Sequence, residues 1–160
     1  MTGAALIGTV FGAGYLRPAP GTWGTLAALP LAWLTMQGGA LFFTVATAFM
    51  LPLGLWATRR MTAGQANHDP SEIVIDELLG VWIALLPLAW RAQGAGVPVE
   101  RLWPGWIAAF VLFRLFDIWK PGPVGWADRR DDAWGVMLDD AIAGGIAAIG
   151  VLILAALAHL

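Results

Sequence analysis

The sequence predicts an all-α membrane protein, a polytopic helical bundle of about five transmembrane helices plus a short N-terminal half or interfacial helix. Of 160 residues, 59% are hydrophobic and only 12% charged, against about 25% charged in soluble domains. Ten tryptophans and twenty glycines fit interfacial anchors and small helix-packing residues. Apolar runs recur near the roughly 17–25 residues that a crossing helix needs. The length suits a single domain, residues 1–160.

Taken in order, residues 3–14 are too short to cross and fit a half-helix or an interfacial helix. Gly8 and Gly12 stand in G-x-x-x-G spacing, which allows close packing; with no strand before them they make a weak nucleotide-binding signal. The N-terminus lacks the basic region of a cleaved signal peptide and reads as mature sequence. Residues 22–37 form a short span that contains Pro30, and residues 41–58, 73–90, 102–119 and 138–158 qualify comfortably. Five crossings put the loops 17–21, 59–72 and 120–137 on one side. That side carries Arg17, Arg59, Arg60, Lys120, Arg129 and Arg130, against Arg91 and Arg101 on the other. The excess places the first side in the cytoplasm.

Composition narrows the function. A net charge of −2 gives no footprint for a nucleic-acid partner. The absence of cysteine removes disulfides, thiolate nucleophiles and cysteine-ligated metals. A histidine-nucleophile phosphatase needs two placed histidines, and only His68 falls on the cytoplasmic side; His159 closes the last span on the other. The D-G-x-x-A-R signature of CDP-alcohol phosphotransferases is missing.

The acids converge. Asp76 and Glu77 lie at the start of the third span, Asp117 near the end of the fourth, and Asp139 and Asp140 open the fifth. His68, Asp69, Glu72, Asp128, Asp131 and Asp132 sit in the adjoining loops, so every acid but Glu100 is at one membrane face. Arg114, Asp117 and Lys120, spaced i, i+3, i+6, form one helical stripe. An intrahelical ion pair accounts for Arg114 and Asp117 alone, but not for paired carboxylates at the same height on two more helices. Clustered carboxylates at low dielectric repel unless a cation joins them. Mg²⁺ suits such a site, held by one or two carboxylates and by substrate phosphate oxygens. Arg114, Lys120, Arg129 and Arg130 are then candidates to hold phosphate, Arg129 and Arg130 serving equally as positive-inside anchors. Thr22 and Thr25 in APGTWGT either bond phosphate or cap the first span. Pro121 and Pro123 stop the fourth helix after Trp119.

Four motifs in this order, PGTWGTLAALP (20–30), HDPSEIVIDE (68–77), FRLFDIWKPGPVGWADR (113–129) and GVMLDD (135–140), closely resemble those of bacterial phosphatidylglycerophosphatase A. The resemblance runs from about residue 6 to 150 and departs at Gly122, where the family pattern carries a bulkier residue. It implies a Mg²⁺-dependent integral membrane phosphatase of the bacterial inner membrane, acting at the cytoplasmic face. The substrate it implies is phosphatidylglycerophosphate, whose terminal phosphate is removed to give phosphatidylglycerol. It carries acidic motif positions onto Asp76, Glu77, Asp117, Asp128, Asp139 and Asp140, and basic ones onto Arg114, Lys120 and Arg129, with His68 and Asp69 beside them.

The expected site thus has Asp76, Glu77, Asp117, Asp139 and Asp140 as catalytic, metal-holding acids. Arg114, Lys120, Arg129, Arg130, Thr22 and Thr25 are the expected phosphate ligands, and His68, Asp69 and Asp128 lie behind them, His68 as a candidate acid. Attack by water and an aspartyl-phosphate route both remain open to such a set. The competing class is a small transporter or ion-binding protein, which needs its charges nearer the membrane midplane.

Overall fold

The computed structural model describes residues 1–67 and 69–158, with His68 and His159 outside the described residues. It consists of seven α-helices and two 3₁₀ turns, with no strand among the described residues: α1 (Gly3–Gly8), α2 (Pro20–Met36), α3 (Ala40–Thr62), α4 (Ile75–Ala95), α5 (Trp103–Trp119), α6 (Pro123–Asp128) and α7 (Ala133–Leu157). The 3₁₀ turns are Ala13–Tyr15 and Val99–Leu102.

Four helical stretches are long and apolar enough to cross a bilayer: Ala40–Thr62, Ile75–Ala95, Val99–Trp119 and Ala133–Leu157. The expected first span is the 17-residue α2, shorter than these four. It still runs between the two ends of the bundle, from Gly21 beside Glu77 to Trp33, whose indole donates to the Glu100 carboxylate. The N-terminal segment is short as expected, with a six-residue helix capped by the Thr2 hydroxyl.

Helix α4 is the core. In its crossing window 56% of residues are buried, against 11% for α5, so α4 sits in the middle and α5 at the edge. It packs most extensively on α7 and also on α2, α3 and α5. Small residues set these contacts, as expected where lipid offers no hydrophobic drive for helix association. Gly80 of α4 and Gly144 of α7 meet backbone to backbone, and Gly54 of α3 accommodates Met137 of α7. Trp82 donates its indole N–H to the Ala28 carbonyl of α2 at 2.9 Å and meets the Phe43 ring of α3 in a tilted contact, 5.3 Å between centroids. Ile107, Val111, Leu115 and Ile118 are exposed at i, i+4, i+8, i+11, the outward stripe of a lipid-facing helix.

Helices α3 and α4 run on to Thr62 and Ala95, past the expected ends at 58 and 90, and two further differences from the sequence reading bear on the site. Helix α7 starts at Ala133, five residues before the expected span, because the Asp132 carboxylate caps it by accepting from Gly135 N–H at 2.8 Å. Asp139 and Asp140 therefore do not open the helix but lie nearly two turns inside it. The loop after α5 contains the extra helix α6, begun by Pro123 at the first helical position.

Asp132 also accepts from Arg130, at 2.9 and 3.3 Å. The Arg130 bond first, and then the Gly135 N–H, hold its carboxyl below the ordinary aspartate range. Its contribution is thus present above the unfolded-state pKa and lost as pH falls through the folded value. Asp132→Ala is expected to cost about 1 kcal/mol, a fall in Tm of roughly 2–4 °C at neutral pH. The deficit should shrink in acid, read by thermal unfolding in detergent across a pH series.

Candidate active site

The acids and bases gather at the bundle end where α4 and α7 begin and α5 finishes. Asp76 and Glu77 occupy the first turn of α4, where acids are favoured by the helix dipole. Asp140 comes across from α7. One oxygen from each of Asp76, Glu77 and Asp140 lies within 4.8 Å of the others. Asp76 and Asp140 are buried, and Glu77 Oε2 is a buried oxygen with no hydrogen-bond partner among the described residues.

The Arg114 guanidinium of α5 closes one flank, donating through Nη1 to Asp117 Oδ2 at 2.6 Å and to Glu77 Oε1 at 3.4 Å. Helix α2 supplies the wall above this pair. A Cβ on Gly21 would overlap Glu77 Oε1 and come within 3.3 Å of Arg114 Nη1, so only glycine lets α2 approach so closely. Asp117 and Asp139 both lie near enough to act electrostatically on Asp140, but each is engaged by a base. Asp139 Oδ2 accepts from Lys120 Nζ at 3.1 Å, and Asp139 Oδ1 also accepts from Asp140 N–H at 2.9 Å.

Lys120 leaves the expected helical stripe. It ends α5 in a left-handed conformation, φ 52°, its N–H donating to Phe116 O, and its side chain bridges Asp139 of α7 and Asp128 of α6. Burial works against its charge, but those two carboxylates outweigh it and hold the ammonium above the ordinary lysine range. Beside this bridge is a cleft of about 150 Å³ lined by Asp69, Asp128, Arg129, Arg130, Asp131 and Asp139 with Gly135 and Val136. Asp69 remains solvent-accessible, yet the protein around its carboxyl pushes it above the ordinary aspartate range. Lys120 opposes that shift, and Asp128 and Asp117 reinforce it.

The structure therefore gathers Asp76, Glu77 and Asp140, with Arg114, Asp117, Lys120 and Asp139 against them and Asp69, Asp128 and Arg129 at the rim. Arg130 lines the cleft but its guanidinium is taken by Asp132. Neither threonine caps α2: its N-cap is Ala19, with no side-chain bond. Thr25 is fully buried and donates to Gly21 O at 2.8 Å. Sequence reasoning missed Gly21, Gly80 and Gly144. For Gly80 and Gly144 the signal was a glycine one turn from a site acid, readable only with the partner helix in place, whereas Gly21 stands on a helix that carries no acid.

This donor set fits a divalent cation. Three carboxylates on two helices, shielded from water, repel one another without one, and a buried oxygen left unpartnered is a ready ligand for a hard cation. The family model for phosphatidylglycerophosphatase A matches residues 6–155. The chain is 38% identical over 148 residues to phosphatidylglycerophosphatase A of Haemophilus influenzae, covering 91% of this chain and 85% of that one. It is 35% identical over 149 residues to the Escherichia coli protein of the same name, covering 92% and 80%. A Bacteroides thetaiotaomicron protein, named provisionally as a phosphatidylinositol-3-phosphatase, is 40% identical over 146 residues, covering 87% and 85%. No solved structure matches. With nearly its whole length matched, the chain belongs to the phosphatidylglycerophosphatase A family.

Proposed function

We propose that this protein is a Mg²⁺-dependent lipid phosphatase of the bacterial inner membrane, its site facing the cytoplasm. It hydrolyses the terminal phosphate monoester of phosphatidylglycerophosphate to phosphatidylglycerol and inorganic phosphate, a step of anionic phospholipid synthesis. Family membership supports the reaction class, hydrolysis of a phosphoric monoester. The observation that carries the metal is the Asp76, Glu77 and Asp140 cluster with its unpartnered Glu77 oxygen. The excess of arginine and lysine at the site end favours the cytoplasm.

Asp76, Glu77 and Asp140 would hold the ion, with Asp117 and Asp139 completing the acidic set. Mg²⁺ bound there supplies Lewis-acid polarisation of phosphoryl oxygens and a more acidic water. Arg114 offers its remaining guanidinium N–H groups to the phosphate, while its bonds to Glu77 and Asp117 fix its plane. Arg129, which has no ion pair among the described residues, adds charge from the rim of the cleft. Lys120, held charged by Asp128 and Asp139, sets a positive potential where negative charge accumulates in the transition state. The diacylglycerol part stays in the bilayer, so only the phosphate has to reach this end of the bundle.

The test is phosphate release from phosphatidylglycerophosphate by purified protein in detergent. Release is expected with Mg²⁺, loss with EDTA, and recovery when Mg²⁺ is restored. Phosphatidylinositol 3-phosphate, run in parallel, should turn over more slowly. Absence of metal-dependent release from every lipid phosphate tried would overturn the reading.

A further inference from the structure

We propose that residues 8–17 are a clamp that sets the position of residues 69–77, and that Gly14 and Arg17 are its positioning residues. Neither touches the clustered carboxylates. The stretch they grip carries Asp69 at one end and Asp76 and Glu77 at the other.

The grip has three points. Val74 N–H, one residue before α4, donates to Gly8 O at 2.8 Å. Gly14 is buried against the Glu72 backbone: a Cβ there would overlap Glu72 O and lie 2.8 Å from its carbonyl carbon. Because the neighbour is backbone, no side chain can swing aside to make room. Arg17 donates through Nη1 to Ser71 Oγ at 3.2 Å and through Nη2 to Glu72 Oε1 at 3.3 Å.

The clamp is itself rigid. Between Gly8 and Gly14 the chain passes through three successive left-handed residues, Val10 (φ 48°), Phe11 (φ 57°) and Gly12 (φ 94°). For the two non-glycine residues this conformation is unfavourable, because Cβ crowds the following carbonyl oxygen, and such strain persists only where the surroundings over-determine it. Thr9 does so here. Fully buried, its hydroxyl donates to Ala5 O at 2.6 Å and accepts from Gly12 N–H at 3.0 Å, while its carbonyl accepts from Gly14 N–H at 3.0 Å. Helix α1 in turn packs on α3, with Gly8 against Met61. A strained turn braced on the bundle and gripping the approach to α4 is placed to fix where that helix begins. Arg17–Glu72 is half-exposed and such pairs contribute little, so Gly14 is the stronger arm.

The kinetic part of the test rests on the phosphatase reading; amide exchange does not. In Gly14→Ala, hydrogen exchange at Val74 N–H should accelerate about tenfold or more as the bond to Gly8 opens. KM for phosphatidylglycerophosphate and the Mg²⁺ half-saturation should each rise about tenfold, with kcat falling only about twofold. Arg17→Ala should give a milder version, and Arg17→Lys should return toward wild type. Unchanged exchange at Val74 in Gly14→Ala overturns the clamp. Should that variant fail to insert, Arg17→Ala decides: faster exchange at Ser71–Val74, recovered in Arg17→Lys, supports the clamp, and unchanged exchange refutes it. Should wild type release no phosphate, the exchange result still judges the clamp alone.

Discussion

Asp140→Asn is expected to lower kcat for phosphate release by about 10³-fold, equivalent to roughly 4 kcal/mol of transition-state stabilisation. Asparagine keeps the shape of the side chain but removes one of three negative charges within 4.8 Å of one another. The backbone is left undisturbed, because Asp140 N–H is bonded to the Asp139 carboxylate and not to its own side chain. Glu77→Gln should behave alike, its buried Oε2 becoming either an amide or an uncharged carbonyl oxygen. Asp117→Asn is expected to lose less, roughly 10–100-fold, since its carboxylate holds Arg114 at 2.6 Å and acts on the site through it. Phosphate release measured over a Mg²⁺ titration separates these cases: the Asp140 variant needs far more metal, the Asp117 variant little more. Circular dichroism should be unchanged in all three. Activity of Asp140→Asn within tenfold of wild type would show that the cation is not held where α4 and α7 meet.

The helical class was legible because hydropathy decides it: five apolar segments correspond to α2, α3, α4, α5 and α7 within a few residues. The gathering of acids at one end was legible for a related reason, since alternating helix direction alone puts Asp76, Glu77, Asp117, Asp139 and Asp140 at the same level. What was illegible depends on partners distant in sequence. The polar run DRRDDAW hides the first turns of α7, and only the Asp132 bond to Gly135 shows that the helix has already begun. Lys120 sits at helical spacing from Arg114 and Asp117, but its left-handed backbone sends it to Asp128 and Asp139 instead. The pairing of Val74 with Gly8 and of Arg17 with Glu72 joins residues more than fifty positions apart, with no periodic signal to announce it.

Gly144→Val should cost several kcal/mol of stability and remove activity in whatever protein survives. On α4, Asp76 stands four residues before Gly80; on α7, Asp140 stands four residues before Gly144. Each acid is therefore one turn from its glycine on the same helical face. The two glycines touch: a Cβ on Gly144 would overlap Gly80 O and lie 2.9 Å from its carbonyl carbon, and one on Gly80 would overlap the Phe113 ring and lie 2.8 Å from Asp140 O. A valine must push α4 and α7 apart, because backbone cannot yield as a side-chain tip can. That separation opens the Asp76–Asp140 gap one turn away. Gly145 is the built-in control. A Cβ there meets nothing within 4 Å, so Gly145→Ala should leave activity unchanged and hold or slightly raise stability through helix propensity. Thermal unfolding in detergent, with phosphate release beside it, reads both variants. Equal behaviour of the two would mean that the carboxylates are held together by something other than this crossing. A loss confined to Gly144→Val ties the chemistry of the site to a backbone contact that carries no charge.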